Sequence, residues 1–515
     1  MLTKTVVISI PRLEPHRPPP GPAIIAKICE QQGHNVTAYD LNIKFFNYCK
    51  KQNIDYHGFD QVWNRYADFD LEQYKILEKF LDIWCKRISS ENYDYIMIGI
   101  FGISGSVFAQ EFLRRLRPLT SAKIIIGGMG AATPALTDPE DCFGHRLKNE
   151  GLIDTYIVGE GEGSIVKVLN NETGPGINNT EVSQIDDLDS LPQPDYKFFN
   201  LEEYDYLFPN EKEVYITGSR GCVRKCTYCD IERYWPKFRY RSGQNIADEI
   251  IDNYERFGIT KFYFTDSLVN GSFKAFNDMC EKLSCYKFDH PLSWSGQFIF
   301  RDKKSIPKNH YELVKAAGAN ILFVGLETGS DRVRFDMGKK FTNEDIDFQL
   351  EECSKYGIHV IPLMFTGYIT ETIEDHRENL KAFQRWQRYV ADGTIVGVEL
   401  GTSLVILPGA PVERMIDSHG LTFLVDDNME PDLKLWWSEA NPTLTIKERI
   451  RRKLEVHETA IKYAWPVWRQ ASRLRELKEL ILKHDLHQKE TQKFYKLIPT
   501  ENQTKIATFS KLGEL

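Results

Sequence analysis

The sequence predicts an α/β protein built on two successive parallel sheets, followed by a helical C-terminal region. Three observations predict it. Strand-like runs alternate with amphipathic helical runs in two series, residues 1 to about 170 and 213 to about 406. Glycine-bearing loops follow the strand ends of the first series, and from about residue 415 the pattern changes to long charged helices. Such alternation calls for helical crossovers between parallel strands.

In the first series Thr5–Ile10 is a strand, Ala23–Gln32 a helix and Asn35–Asp40 a second strand. A charged helical insertion fills roughly 55–90, by its period and its lack of strand signals. Tyr95–Ile100, Lys123–Ile126 and Thr155–Val158 continue as strands, with Ser106–Leu116 as a helix. This is a doubly wound, Rossmann-like pattern. Three strand ends run into Gly99-Ile-Phe-Gly102, Gly127-Gly-Met-Gly130 and Gly159-Glu-Gly-Glu-Gly163. Ligands of such sheets sit beyond the carboxyl ends of the strands, and glycine lets backbone approach them closely. Three such loops at one edge point to a large cofactor.

Asn170–Ser183 is polar and reads as a linker, and Asp186–Asp195 as an extended acidic segment with two prolines. The second series has strands at Val214–Thr217, Lys261–Phe264, Leu292–Gln297, Ile321–Gly325, His359–Phe365 and Gly397–Ile406. Helical spacing fills 245–256, 272–284, 309–317, 343–356 and 373–390. Six βα units in tandem suggest a TIM-type barrel, closed or partial. The expected domains are 1–180, a linker over 181–210, a barrel over 211–415 and a helical region over 416–515. In that last region Ile446–Tyr463 and Trp465–His484 are the expected helices. Trp436-Trp437 reads as packing, and Arg449–Arg452 as a solvated helix face.

Composition excludes several classes. At 42% hydrophobic and 27% charged residues the chain is globular, and a net charge of −8 gives a nucleic-acid partner no general electrostatic support. No apolar run approaches the roughly 20 residues of a membrane span. The N-terminus, MLTKTVVISIPR, reads as a first strand rather than a signal peptide, so the expected location is the cytoplasm. Of ten cysteines, Cys29, Cys49, Cys85, Cys142, Cys280, Cys285 and Cys353 are scattered and read as small buried hydrophobes.

The other three lie in Gly221-Cys222-Val-Arg-Lys-Cys226-Thr-Tyr-Cys229, directly after the first strand of the second series. Thiolates at this spacing on a tight loop can converge on one metal centre. Zinc is a competitor, but its structural sites need four Cys or His ligands, and none follows nearby. Three cysteines on a cubane leave one iron open to a small molecule.

The CxxxCxxC spacing, with Tyr228 before the last cysteine, resembles the radical S-adenosylmethionine (SAM) superfamily. The resemblance implies a [4Fe–4S] cluster on Cys222, Cys226 and Cys229 whose open iron binds SAM and cleaves it to a 5′-deoxyadenosyl radical. It also implies SAM contacts at Tyr228, Asp266, Arg301, Glu327 and Ser330, the last two within Gly325-Leu-Glu-Thr-Gly-Ser330. Pro19–His34, Asp94–Ser106 and the glycine loops resemble, in order, the cobalamin-binding domain fused to such enzymes. Implied corrinoid contacts are Gly99, Gly102, Ser104, Gly127, Gly128, Gly130, Gly159, Glu160 and Gly161. One departure stands out: the loop after the first strand lacks the Asp-x-His-x-x-Gly that supplies a cobalt ligand. His16 is in the right loop but the wrong frame, so cobalamin is expected without a histidine ligand. The resemblance therefore implies methyl transfer to an unactivated carbon of a small-molecule substrate, with a flavodoxin or ferredoxin as electron donor. Cyclisation, oxidation or rearrangement without methyl transfer is the alternative, and a corrinoid or iron–sulfur sensor a further one.

Overall fold

The structure, a computed structural model, describes residues 2–11, 15–59, 71–102, 105–132, 142–204, 212–425 and 431–467, and the short pieces 474–475, 477–479, 482, 494–496 and 507–509. It forms two compact units. One comprises Met1–Thr217, Arg239–Arg241 and Asp248–Tyr263, the other Gly218–Phe238, Ser242–Ala247 and Phe264–Leu515.

The first unit holds strands β1 (Lys4–Ser9), β2 (Asn35–Asp40), β3 (Tyr95–Gly99), β4 (Lys123–Gly127) and β5 (Thr155–Tyr156). All pair in parallel, in the order β2-β1-β3-β4-β5. Both faces are covered, which is why these strands read as unbroken apolar runs. Val6, Ile8, Ile96, Ile98, Ile124 and Ile126 enter one core with Leu77, Phe80 and Trp84 of α3 (Leu71–Ser90) and Phe108 and Phe112 of α4 (Ser106–Leu116). Val7, Met97 and Ile125 enter the other, beneath Ile24, Ala26 and Ile28 of α1 (Pro20–Gln31). Pro20 opens α1, where a missing N–H costs nothing. Helix α2 (Leu41–Gln52) follows β2 and is capped by Asp40, which accepts from the Asn42 N–H. Of the expected insertion over 55–90, α3 and a turn at Tyr56–Phe59 are described, and residues 60–70 lie outside the described residues.

The polar stretch 170–183 is not a free linker. Val158 N–H donates to the Gly176 carbonyl at 2.9 Å, and Ser183 N–H to the Val158 carbonyl at 3.1 Å. These bonds take β5's continuation out of the parallel ladder, and the stretch is polar because it covers a sheet edge. The acidic segment is ordered too. Asp195 accepts from the Lys197 N–H and from Arg256, and the Tyr196 hydroxyl donates to the Tyr215 carbonyl.

All six strands of the second series are present. β6 (Glu213–Ile216) and β7 (Lys261–Phe264) come first, then β8 (Ser293–Phe298), β9 (Ala319–Glu327), β10 (His359–Met364) and β11 (Glu399–Leu400). Within the second unit β11-β10-β9-β8 is a parallel ladder. Helices α5 (Phe273–Cys285), α6 (His310–Ala316), α7 (Asp331–Asp336), α8 (Asn343–Tyr356) and α9 (Ile373–Arg385) alternate with the strands. Helices α8 and α9 begin in complete capping boxes, Thr342 with Asp345 and Thr372 with Asp375. The sixth strand is far shorter than its apolar run, Gly397–Ile406, because Leu404 and Ile406 leave the ladder for the C-terminal core. There the Leu404 carbonyl accepts from Trp436 Nε1 at 2.9 Å and from Arg449 Nη2 at 2.8 Å.

Beyond the barrel series the helix expected at Ile446–Tyr463 is present as α10 (Ile446–Lys462). Most of Trp465–His484, with Trp468, lies outside the described residues. An antiparallel sheet accompanies α10: β12 (Leu421–Val425), β13 (Pro431–Ser438), β14 (Phe494–Lys496) and β15 (Ala507–Phe509), in the order β13-β12-β14-β15. Trp436 is buried packing, as expected. The solvated reading of Arg449–Arg452 needs correction. Arg449 and Arg452 are buried, at 1% and 2% exposure. The Arg449 guanidinium lies 3.7 Å above the Trp436 ring, and Arg452 meets Glu371 at 2.9 Å. A run of arginines looks solvated in sequence, but two of them are internal staples. The scattered cysteines are buried except Cys285, which is exposed at the end of α5.

Candidate active site

The cysteine loop lies in the second unit. Cys226 is buried, and Cys222 and Cys229 are half-buried. Burial pushes all three thiols up, Cys229 to about 11, so a metal that binds thiolates must displace their protons. Local bonds fix the loop: the Arg224 N–H points at Cys222 Sγ at 3.4 Å, and the Cys229 N–H donates to the Cys226 carbonyl. Gly221 has φ +81, and a Cβ there would stand 2.8 Å from the Lys237 carbonyl oxygen. Among the described residues no three His, Cys, Asp or Glu side chains close on a single ion. A cubane takes each thiolate on a different iron, so the three-thiol donor set fits it.

Asp266 is not a solvated loop charge. It is buried, accepts from the Gly218 N–H at 2.8 Å and from the Ser219 hydroxyl at 2.5 Å, and so ties down the backbone that enters the cysteine loop. Arg301, in the loop after β8, donates to the Asn270 and Gly271 carbonyls and lies over the Phe273 ring. Its Nε is buried without a partner, and among the described residues no carboxylate pairs with it. Burial, then the nearby Arg224 charge, holds its pKa below the usual arginine value. A half-buried guanidinium without an anion is costly, and its planar fork is suited to a carboxylate.

Glu327 ends β9 with φ +64, where the register with β10 slips between Gly325 and Glu327. A bulge of this kind re-aims a side chain. Its carboxylate meets Lys339 Nζ at 2.6 Å, and its charge, after burial, keeps the Tyr228 hydroxyl well above its usual pKa. The Tyr228 ring packs edge-on against Phe365 at 5.1 Å. Tyr228, Glu327 and the Cys226 loop are thus brought together.

Ser330 has a structural duty: it caps α7 and donates to Asp375 at 2.7 Å. Burial alone would raise the Asp375 carboxyl, but Arg332, Ser330 and Thr372 outweigh it and hold the pKa at about 2. A carboxyl depressed below its ordinary value stabilises the fold above about pH 4 and loses that contribution as pH falls through about 2. An Asp375→Asn variant is therefore expected to lose about 2 kcal/mol at neutral pH and to show a flatter stability profile between pH 4 and 2, read by denaturant titration.

The expected corrinoid contacts lie in the first unit, except that Ser104 lies outside the described residues. A Cβ at Gly102 would meet nothing within 4 Å, and at Gly127 and Gly161 only ordinary contacts. Gly99 is tighter, 3.2 Å from Pro22. At Gly128, Gly130 and Gly159 a Cβ would stand 2.4, 2.3 and 2.4 Å from Ile100, Ile100 and Ser183 respectively, so these glycines let loops of the chain pack on one another. Glu160 is buried and held bidentately by Arg239, Nη2 to Oε1 at 2.6 Å and Nη1 to Oε2 at 2.8 Å, while Ile185 N–H donates to it at 2.6 Å. His16 is half-buried in the loop after β1. Sequence reasoning missed Arg239 and Lys339, whose partners are 79 and 12 residues away and leave no local signal.

Residues 216–383 match the Radical SAM superfamily. That stretch carries a radical SAM domain, which implies a [4Fe–4S] cluster and SAM. The chain's fold is similar to those of two solved radical SAM enzymes. TsrM of Kitasatospora setae, a radical SAM methyltransferase solved with tryptophan substrate and a SAM analogue, superposes with a TM-score of 0.62 at 13% identity, covering 94% of this chain and 99% of that one. OxsB, a cobalamin-dependent SAM radical enzyme solved with aqua-cobalamin, gives 0.62 at 16% identity, covering 94% and 71%. An uncharacterised methyltransferase of Pyrococcus horikoshii is 22% identical over 61% of this chain and 69% of its own length. A putative methylthiotransferase of Methanocaldococcus jannaschii is 25% identical over 52% of this chain, and an anaerobic magnesium-protoporphyrin IX monomethyl ester cyclase of Rubrivivax gelatinosus 26% over 40%. The chain spans 58% and 37% of these last two. No helix among the described residues is long and apolar enough to cross a membrane.

Proposed function

We propose that this enzyme is a cobalamin-dependent radical SAM methyltransferase that methylates an unactivated carbon of a small molecule. The observation that carries the SAM half is the cysteine loop in a unit that also holds the half-buried Arg301, whose Nε is buried without a partner. The corrinoid half is supported by the β2-β1-β3-β4-β5 order, which reverses direction between β1 and β3, with the open Gly102 after β3. Ligands of doubly wound sheets bind at such a switch point. When bound, the cluster supplies the electron that cleaves SAM and the corrinoid supplies the methyl group.

The chain's own residues bind, orient and exclude water. Cys222, Cys226 and Cys229 hold the cluster, and Asp266 anchors the strand exit behind them. Arg301 pairs with the SAM carboxylate, and Tyr228 and Glu327 line the same cofactor. Gly99, Gly102, Gly127 and Gly161 leave room for the corrinoid, without a histidine ligand to cobalt. A small flavodoxin- or ferredoxin-type donor delivers electrons.

Anaerobically reconstituted protein is expected to bind hydroxocobalamin stoichiometrically and to transfer label from methyl-labelled SAM into product, read by mass spectrometry. Unlabelled but altered product favours the alternative, a cyclisation of the kind named for the Rubrivivax relative, or an oxidation. Failure to take up any corrinoid overturns the cobalamin half.

A further inference from the structure

Lys339 forms a buried pair with Glu327 and has no role in the function proposed above. Lys339 follows α7, and its Nζ meets Glu327 Oε1 at 2.6 Å and the Gly325 carbonyl at 3.1 Å. The two side chains are only 8% and 10% exposed. Gly325 leaves room for them: a Cβ there would stand 2.3 Å from Glu327 Oε1 and 2.7 Å from Lys339 Nζ.

The segment that carries Lys339 also lies along the cysteine loop. Thr227 N–H donates to the Met337 carbonyl at 3.1 Å. Gly338 has φ +83, and its Cβ position is 3.1 Å from the Lys225 carbonyl and 3.7 Å from Cys226 Cα. The Tyr368 hydroxyl bridges Thr227 Oγ1 at 2.7 Å and the Asp336 carbonyl at 3.3 Å. The segment that carries Lys339 is thus held along the cysteine loop, and its ammonium is held by Glu327. Its charge acts on both Cys222 and Cys226.

Burying a cation is expensive, and an apolar pair of similar volume is often as stable. Three thiolates and Glu327 concentrate negative charge here, and one-electron reduction of a cluster adds more. We propose that Lys339 is the positioning residue of this site, the resident counter-cation of the thiolate-bound cluster and the clamp that holds Glu327 at its bulge. A cation beside the cluster favours the reduced form, so Lys339 raises the reduction potential. This rests on the cluster assignment and not on corrinoid or methyl transfer.

The test is a redox titration of reconstituted full-length protein, monitored by electron paramagnetic resonance without SAM or corrinoid. Lys339→Met is expected to shift the one-electron equilibrium at least about tenfold toward the oxidised form, which is 59 mV. Lys339→Arg is expected to stay near the native value. Glu327→Gln, which removes the opposing charge, is expected to shift the other way, and Lys339→Met with Glu327→Gln to lie between. An unchanged potential in iron-replete Lys339→Met overturns the proposal. If Lys339→Met takes up no iron, an unchanged potential in Glu327→Gln overturns it instead. Absence of a cluster in the native protein defeats the cluster reading itself, whereas absence of methyl transfer touches neither.

Discussion

Replacing Cys226 by alanine is expected to abolish cluster assembly and to reduce 5′-deoxyadenosine formation to background. A cubane on three cysteines has no spare protein ligand, and a loop with two thiols cannot hold it on three irons. The loop itself should survive, because its anchors are elsewhere: Asp266 on Gly218 and Ser219, and Thr227 on Met337. Iron content should fall from about four per chain to near zero while the thermal midpoint of the metal-free protein stays within about 1 °C. Cys285→Ala, at an exposed helix end, is the control and should retain all iron. A Cys226→Ala protein that still binds a full cluster and cleaves SAM would refute the ligand assignment.

Breaking the Arg239–Glu160 pair is expected to have the largest effect on stability. Both groups are buried, at 7% and 5% exposure, and Glu160 also receives the Ile185 N–H. Removing one partner strands a buried charge, which costs about 3–5 kcal/mol. Arg239→Ala should therefore lower the unfolding midpoint of the first unit by roughly 10 °C. Arg239→Met with Glu160→Gln, which removes both charges, should recover much of that loss. Glu160→Gln also separates two roles for this carboxylate. A lowered midpoint with unchanged hydroxocobalamin binding makes Glu160 an anchor of the Gly159–Gly161 loop. Lost corrinoid binding at an unchanged midpoint makes it a ligand contact.

Much of the architecture was legible because it is periodic. Asn35–Asp40, Ser106–Leu116 and Asn343–Tyr356 match their expected bounds, since each is an uninterrupted local pattern. The short last barrel strand was not legible. Leu404 and Ile406 are as apolar as a strand, and only their partners Trp436 and Leu433 show that they belong to the C-terminal core. The antiparallel sheet beside α10 was hidden for a related reason. Its Leu421–Val425 and Pro431–Ser438 strands stand beside charged helical residues that dominate the pattern.

Glycine and arginine each hide in sequence what their surroundings make of them. Glycines at strand ends looked alike, yet Gly102 faces open space while Gly128, Gly130 and Gly159 make room for the chain itself. Arginines 449 and 452 looked solvated, yet both are spent on internal carbonyls, a carboxylate and an aromatic ring.

The sequence by itself determined the class of chemistry. Three cysteines at one spacing after a strand, in a βα series, define a loop whose geometry needs no distant partner. What only the tertiary structure decided is how charges around that loop are held. Asp266 on the strand exit, Ser330 on Asp375, Lys339 on Glu327 and Arg301 with its buried, unpartnered Nε each depend on segments far apart in the chain. The reason is physical: a backbone pattern is local, whereas a buried charge is stable only beside the partner that the fold brings to it.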